Sequence, residues 1–244
     1  MKIVCLVKQV PRGDAIRFDE ETKSLVREGV PLELNQFDAY AVAHAARLRD
    51  QHGGEVVAMT MGPPQAEDVL RLTLALGADR CIHLSDRLFA VADTIGTSRT
   101  LAMAIAKEGA DLVLCGRKTL DSETWQVPAE VAAFLDRPQA TNVTSLELAG
   151  EKLRVRRLGD EGEEVYELEL PAVDEVRLLL LLVEVAPGLV AGREADRVDT
   201  ERRDVQAPPD LPEPIAVAQR VDVRNRVAVA AGRLVHLVAH SRRN

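Results

Sequence analysis

Short apolar runs alternate with longer segments of helical period along the first part of the chain. An apolar run of about four to eight residues, rich in Val, Ile and Leu, is typical of a strand in a parallel sheet that helices cover on both faces. The runs of this kind predict four strands, KIVCLV (2–7), EVVAMTM (55–61), RCIHLS (80–85) and DLVLCG (111–116).

Three segments between these runs have the period of an amphipathic helix, and each runs up to a glycine. Segments 36–51, 66–77 and 93–109 therefore predict helices that close before the next strand begins. One stripe of the first helix carries Phe37, Ala41, Ala45 and Leu48. Because strands and helices alternate regularly, we predict right-handed crossovers and an α/β fold with a doubly wound parallel sheet.

The pattern changes after about Asn142. Apolar and polar residues then alternate with period two in SLELAG, KLRVRRL and EVYELEL, around the turn GDEGEE, which predicts an antiparallel hairpin extension. Further on, the Pro-rich stretch APPDLPEP has the composition of a linker. We therefore predict an α/β domain with its hairpin extension over 1–185, a linker over 186–214, and over 215–244 a C-terminal arm that docks on a partner.

Composition narrows the class of protein. The net charge is −8 and only 3% of residues are aromatic, which disfavours a nucleic-acid partner. Cys5, Cys81 and Cys115 all lie in apolar runs and form no CxxC pair, so we expect no disulfide framework and a reducing compartment. The N-terminus does not resemble a secretory signal, and the longest apolar run, LLLLLV from Leu178, is too short to span a bilayer. We expect a cytoplasmic protein without membrane insertion.

The loop after the fourth predicted strand carries the candidate chemistry. Ligands of an open α/β sheet bind beyond the carboxyl ends of its strands, and CGRKTLDSETWQVP follows such an end. Neither a GxGxxG motif nor a Walker A spacing is present. We predict a helix from about residue 125 to residue 135, with Ser122 or Thr124 as its N-cap. Its amino terminus is either simply capped or holds an anion.

Other reactive side chains indicate neither a catalytic nor a metal site. His236 and His240 have the spacing of a helical metal pair but lack a nearby third ligand, so we predict no metal. Asp121 and Glu123 are expected to be exposed, in a solvated or capping role, because no nucleophile or His accompanies them. Cys115 is expected to be an inert buried thiol.

Five blocks of sequence together resemble one family. The blocks of this chain are VKQVP, ELNQFDAYAVAHAARLRDQ, VVAMTMGPPQAEDVLRLTLALGADRCIHL, DLVLCGRKTLDSETWQV and FLDRPQATNVTSLEL. In order and spacing they resemble the β subunit of electron-transfer flavoproteins. The resemblance covers about residues 1–175. It implies a Rossmann-like, adenine-nucleotide-binding domain in a heterodimer with an α subunit that carries FAD. Such a subunit is an electron carrier rather than an enzyme in itself, and it works between flavin dehydrogenases and a quinone reductase.

The resemblance also implies a nucleotide site. In this family the β subunit holds a structural AMP, or a second FAD in its place in bifurcating members. By position, these contacts fall on Leu6, Asn35, Gln36, Phe37, Asp38, Met61, Gly116, Arg117, Lys118, Thr119, Leu120, Asp121, Ser122, Glu123, Thr124, Trp125, Gln126 and Val127. Asn35 is expected to cap its helix and reach the adenine or ribose, and the amides near Trp125 to meet the phosphate. Phe37 is either turned toward the flavin of the α subunit or is a core anchor.

Two departures from the family leave alternatives open. Trp125 stands where the family has a small residue or Asn, so its indole either stacks on adenine or fills the phosphate site. After PAV (171–173) the family has an Asn-Glu-Pro docking loop, but this chain reads DEVRLLLLLVEV. Whether segment 174–205 docks a dehydrogenase is therefore open. The alternative function is a nucleotide-binding regulatory or interaction module of the same fold, without electron-transfer docking.

Overall fold

The structure is a computed structural model that describes residues 1–13, 20, 29–90 and 92–176. The predicted linker (186–214), the predicted arm (215–244), the apolar run from Leu178 and the pair His236 and His240 lie outside the described residues. The altered docking segment is described only as far as residue 176.

The described residues form ten strands and four α-helices. The strands are β1 (Lys2–Leu6), β2 (Gln9–Pro11), β3 (Leu32–Leu34), β4 (Glu55–Met61), β5 (Arg80–Leu84), β6 (Leu112–Gly116), β7 (Gln139–Ala149), β8 (Lys152–Leu158), β9 (Glu163–Glu169) and β10 (Ala172–Val176). The helices are α1 (Gln36–His52), α2 (Glu67–Leu76), α3 (Thr94–Glu108) and α4 (Val127–Leu135). The four strands and three helices predicted from the apolar pattern are thus confirmed to within a residue or so at each end.

Local signals explain the helix boundaries. Asp93 precedes α3 and its side chain accepts a hydrogen bond from the Gly96 amide over 2.8 Å, which satisfies a donor of the first turn. Gly109 ends α3 with a left-handed φ of 67°, a conformation that costs glycine little. Polar residues at the start and glycine at the end therefore limit this helix to the predicted span.

Eight strands form one mixed sheet in the order β5-β4-β1-β6-β10-β7-β8-β9. All neighbours from β5 to β7 are parallel, whereas β8 is antiparallel to β7 and to β9. The turn between β8 and β9 is closed by a hydrogen bond of 2.8 Å from the Gly159 amide to the Gly162 carbonyl. Both the predicted parallel sheet and the predicted hairpin extension are confirmed.

The two faces of the parallel sheet bury different sets of side chains. Ile3 and Cys5 of β1 belong to a cluster with buried residues of α1 and α2, whereas Val4 and Leu6 belong to a cluster with buried residues of α3 and α4. This division follows from the alternation of side chains along a strand. Helices therefore cover both faces, as a doubly wound sheet requires.

Two features of the sheets were missed in the sequence. β10 lies between β6 and β7, although its sequence AVDEV has two acidic residues and does not resemble a buried parallel strand. β2 and β3 form a separate antiparallel pair of three residues each, too short to produce a recognisable period. Tertiary pairing, rather than local pattern, determines these strands.

The three cysteines all lie in the described part of the chain, where they are buried and form no disulfide with one another. Burial raises the pKa of Cys81 to about 12 and raises the pKa of Cys5 still further above its usual value. Cys115 is only 3% exposed. Thiols in such surroundings are poor nucleophiles, which agrees with the predicted inert role of Cys115.

Within the described residues, no helix is both long enough and apolar enough to cross a membrane.

Candidate functional site

The carboxyl ends of three central strands meet at one edge of the sheet. Leu6 of β1 is in register with Met59 of β4 on one side and with Cys115 of β6 on the other. The loops that follow these strands therefore start side by side. Leu6 is buried and Met61 is half-buried at this edge.

The segment after β1 is bound to the start of α1. The Lys8 amide donates to Asp38 Oδ2 over 2.8 Å, and the Asn35 amide donates to the Lys8 carbonyl over 3.0 Å. Lys8 was missed as a candidate in the sequence, although it lies within the block VKQVP. These two bonds place the first residues of α1, which include Gln36 and Phe37, at the carboxyl edge.

Asn35 occupies the N-cap position of α1, but the predicted side-chain cap is wrong. Its side chain makes no capping bond and instead donates from Nδ2 to the Lys118 carbonyl over 2.8 Å. Asn35 is fully buried, and its Oδ1 has no hydrogen-bond partner among the described residues. The side chain therefore joins α1 to the loop after β6 and keeps one buried acceptor without a partner among the described residues.

Asp38 of α1 and Gly116 of β6 are in direct contact where this loop begins. Asp38 is 4% exposed, and burial raises the pKa of its carboxyl to about 7, against the opposing effects of the Asn35 side chain and the Lys8 amide. A Cβ atom at position 116 would overlap Asp38 Oδ1. Only glycine therefore permits the observed approach of α1 to β6.

Helix α4 begins later than predicted. It starts at Val127 rather than near Trp125, because Trp125 has a left-handed φ of 63° that no α-helix can include. The N-cap residue is Gln126 and it makes no side-chain capping bond, so the prediction of Ser122 or Thr124 as N-cap is also wrong. The Ser122 hydroxyl instead lies 2.9 Å from Thr119 Oγ1.

The backbone just before α4 offers several amide donors that have no partner among the residues the structure describes. Within the described part of the chain, no acceptor lies within hydrogen-bonding geometry of the amides of residues 124–127. Trp125 is left-handed, and Gln126, with φ −97° and ψ −38°, is right-handed. Successive residues of opposite hand are the backbone arrangement in which neighbouring amides line anion-binding concavities of proteins.

The helix itself adds less than predicted to such a site. Pro128 in the first turn of α4 has no amide hydrogen. Glu130 places a carboxylate in the same turn, where it accepts bonds from Ser98 Oγ over 2.7 Å and from Thr94 Oγ1 over 3.0 Å. The donors that remain are therefore mainly those of the loop before the helix.

Cations and aromatic rings surround the loop. The Arg117 guanidinium lies 4.1 Å from the centroid of the Trp125 ring, a distance typical of cation–π stacking. Lys118 Nζ lies 5.9 Å from the Trp125 ring and 5.7 Å from the Phe37 ring, and it pairs with Glu123 Oε1 over 2.6 Å. Trp125 is 40% exposed, so its ring borders the site and also faces solvent.

Phe37 differs from the rest of the stripe predicted for α1. Ala41, Ala45 and Leu48 are buried as predicted, whereas Phe37 is half-buried at the end of the helix that faces the loop. Its ring contacts the Lys118 ammonium and is thus partly outside the core.

Asp121 is not the exposed residue that the sequence predicted. Its side chain is 1% exposed, and its Oδ1 accepts from Lys8 Nζ over 2.8 Å. Its neighbour Glu123 does have the predicted exposure, with a side chain that is 50% accessible. The ion pair between Lys8 and Asp121 explains the difference, because it draws the loop toward the end of β1.

Most of the predicted site residues therefore lie together. Asn35, Asp38, Gly116, Lys118 and Asp121 are connected by the contacts given above, in part through Lys8, and Leu6 lies at the same edge of the sheet. Thr119 and Leu120 are half-buried within the same loop, and Gln36 is exposed beside it. Among the residues that the structure describes, no group of three or more His, Cys, Asp or Glu side chains could hold a metal ion.

Comparison with known proteins shows the family. The sequence model of the electron transfer flavoprotein domain matches residues 22–197 of the chain. The electron transfer flavoprotein subunit beta of Thermoanaerobacterium thermosaccharolyticum is 45% identical over 173 residues, which are 71% of this chain and 66% of that relative. The chain therefore belongs to the electron transfer flavoprotein family, and the resemblance to its β subunits is confirmed.

Further relatives carry different names. Protein FixA of Azorhizobium caulinodans is 39% identical over 213 residues, covering 84% of this chain and 74% of that relative. The caffeyl-CoA reductase-Etf complex subunit CarD of Acetobacterium woodii is 44% identical over 175 residues, covering 71% of this chain and 67% of that relative. The matched part of the chain thus spans between 66% and 74% of these relatives.

Proposed function

We propose that this chain is the β subunit of a heterodimeric electron-transfer flavoprotein. In this proposal it holds AMP, or FAD in the same position, and relays electrons together with an α subunit that carries FAD. The family membership supports the class of protein, and the loop at the carboxyl edge supports the nucleotide. The FAD of the α subunit, when bound, supplies the redox chemistry, while the AMP of this chain has a structural role.

The unused amides of residues 124–127 are the observation that carries the nucleotide proposal. A phosphate group carries negative charge and several acceptor oxygens, so it matches a concave row of amide donors. The Arg117 guanidinium lies at the same loop, as does the Lys118 ammonium, whose charge is paired with Glu123. The donor set therefore suits a phosphate better than a neutral ligand.

Groups that suit the adenine and ribose of an adenine nucleotide are also present. The buried Oδ1 of Asn35 is an acceptor without a partner in the described structure, and the adenine amino group and the ribose hydroxyls are donors. The exposed Trp125 ring offers a flat apolar surface on which a base can stack. We therefore assign the phosphate to the loop amides, and the adenosine to the space between Asn35 and Trp125.

The electron-transfer part of the proposal concerns a partner. In the proposed heterodimer, Phe37 faces the flavin of the α subunit, since it is half-buried at the carboxyl edge rather than packed in the core. The chain itself orients the partner and excludes water there, and no residue of the chain is assigned a catalytic role. Flavin dehydrogenases and a quinone reductase are the proposed redox partners.

Co-production with an α-type protein of the same family tests this proposal. We expect a heterodimer that is yellow and contains one FAD per pair, whereas the chain alone binds little flavin. Size-exclusion chromatography with absorbance at flavin and protein wavelengths measures both quantities. A chain that remains separate from such α-type proteins, yet binds AMP, would instead identify a nucleotide-binding module without electron-transfer docking.

A further inference from the structure

Lys8 connects three parts of the molecule at the carboxyl edge. Its backbone contacts Asn35 and Asp38 at the start of α1, and its ammonium group contacts the loop after β6. The ammonium donates to Asp121 Oδ1 over 2.8 Å and lies 3.3 Å from Ser122 Oγ. A single residue thus links β1, α1 and the loop that carries the unused amides.

The two members of the ion pair differ in exposure. The Lys8 side chain is 39% exposed, whereas the Asp121 side chain is 1% exposed. A carboxylate so deeply buried is stable only when a cation or several donors compensate its lost hydration. The Ser122 hydroxyl also lies 3.3 Å from Asp121 Oδ1, but the ammonium supplies the opposite charge. Removal of that charge therefore favours a loop conformation in which Asp121 reaches water.

A movement of Asp121 is transmitted through the backbone to the amides of residues 124–127. The turn that contains Asp121 is closed by a bond of 3.1 Å from the Glu123 amide to the Thr119 carbonyl and by the contact of 2.9 Å between the hydroxyls of Thr119 and Ser122. Because these bonds make the turn one unit, a movement of Asp121 also moves residue 124.

We infer that Lys8 is a positioning residue of the anion site, which acts by holding Asp121 and thereby fixes the loop in the conformation that presents the amides of residues 124–127. The inference rests on the proposed function, because AMP is the anion that this site is proposed to hold. Lys8 does not itself contact the phosphate in this proposal.

Calorimetric titration of AMP into the full chain tests the inference with four single variants and one double variant. Lys8→Met and Asp121→Asn should each lower the affinity for AMP about tenfold, and the double variant should lower it no further, because both changes break one interaction. Lys8→Arg should retain an affinity within about twofold, since a guanidinium can also pair with a carboxylate. Lys107→Met, which removes the same charge from an exposed position of α3, should have no effect.

Three results would overturn the inference. If Lys8→Met weakened binding while Asp121→Asn did not, Lys8 would be a direct phosphate ligand. If the two losses added in the double variant, they would not act through one interaction. If neither variant changed the affinity, the pair would have no influence on the site.

A second readout does not depend on nucleotide binding. Trp125 is the only tryptophan of the chain and lies in the loop, so its quenching by acrylamide reports the loop conformation in the ligand-free protein. We expect Lys8→Met and Asp121→Asn to change this quenching, whereas Lys8→Arg and Lys107→Met do not. If wild type binds no AMP, the proposed function fails, and unchanged quenching in Lys8→Met would separately reject the positioning role.

Discussion

The carboxylate of Asp38 fills the space in which a side chain at position 116 would begin. A Cβ atom on Gly116 would overlap Asp38 Oδ1 and would lie 2.7 Å from backbone atoms of Phe37 and Asp38. Backbone atoms at the start of α1 cannot give way independently of the helix. The contact therefore fixes the distance between α1 and β6, and with it the position of the loop after β6 relative to Asn35.

Gly116→Ala should consequently destabilise the protein. We expect the free energy of unfolding to fall by about 1–3 kcal/mol, the usual cost of forcing extra volume into a packed region. Urea denaturation measures this change, and calorimetry should show weaker binding of AMP to the same variant.

Gly96→Ala is the matched control for this substitution. An added Cβ there meets only ordinary contacts of 3.4 and 3.5 Å, and Gly96 lies within α3. Since alanine favours helix more than glycine, this variant should gain about 0.5–1 kcal/mol. Equal effects of the two substitutions would contradict the steric explanation.

Asn35 is predicted to act as a tether between α1 and the loop rather than as a helix cap. Asn35→Ala should lower the free energy of unfolding by about 1 kcal/mol, because the Lys118 carbonyl loses its bond of 2.8 Å. Asn35→Ser distinguishes the two roles, since serine is a good N-cap residue but too short to reach Lys118. Full stability in Asn35→Ser, measured by urea denaturation, would show that capping is the role after all.

The buried carboxyl group of Asp174 should make the stability of the protein depend on pH. It is fully buried in β10, and neither carboxylate oxygen has a hydrogen-bond partner of normal geometry among the described residues. Burial raises its pKa from 3.8 to about 7, with a small opposing effect from the backbone of Ala140. The folded chain therefore holds this proton more firmly than the unfolded chain does. Its contribution to stability is complete below about pH 4 and is lost as the pH rises to about 7.

Asp174→Asn should remove this contribution to the pH dependence. Relative to wild type, we expect the variant to gain on the order of 1–3 kcal/mol at pH 8, and much less at pH 4. Asp38 also has a raised pKa of about 7, but it is unchanged in the variant, so the difference between the two profiles isolates Asp174. Asp160→Asn, in the exposed turn before β9, is the control with no expected change. Parallel profiles for Asp174→Asn and wild type would exclude a buried ionisable Asp174.

Trp125 should report on nucleotide directly. Because Trp125 is 40% exposed and its ring stacks on Arg117, we expect the ring to lie beside the base and not in the phosphate position. Addition of AMP should then produce a saturable change in its fluorescence, and Trp125→Ala should bind AMP more weakly than wild type. Tighter binding by Trp125→Ala would instead show that the indole fills the phosphate site.

The parallel half of the fold could be predicted because its signals are local. Each central strand is a continuous apolar run, and a residue such as Gly109 ends the helix before it. The hydrophobic period and the helix-ending residues therefore predict the same boundaries. β10 could not be predicted in this way. Its position between β6 and β7 depends on long-range pairing, and Asp174 contradicts the apolar pattern of a buried strand.

The candidate site also combines features that local sequence signals predict with features that depend on long-range contacts. The sequence indicated the loop and its neighbours, but the partners of individual side chains depend on how the loop folds back onto β1. Asp121 is an example, because its burial is accompanied by a contact with Lys8, which lies far away in the sequence. The left-handed φ of Trp125 is another, since no local signal distinguishes it from a residue that starts a helix. Such features are set by tertiary contacts, which local propensities do not contain.

The nucleotide content of the purified heterodimer tests the proposed function most directly. The complex would be denatured, and the released nucleotides would be separated and quantified by mass spectrometry. We expect one adenine nucleotide for each copy of this chain, AMP or a second FAD, in addition to the FAD of the α subunit. A complex that releases only the FAD of the α subunit, and that takes up no AMP when AMP is supplied, would contradict a nucleotide site at the amides of residues 124–127.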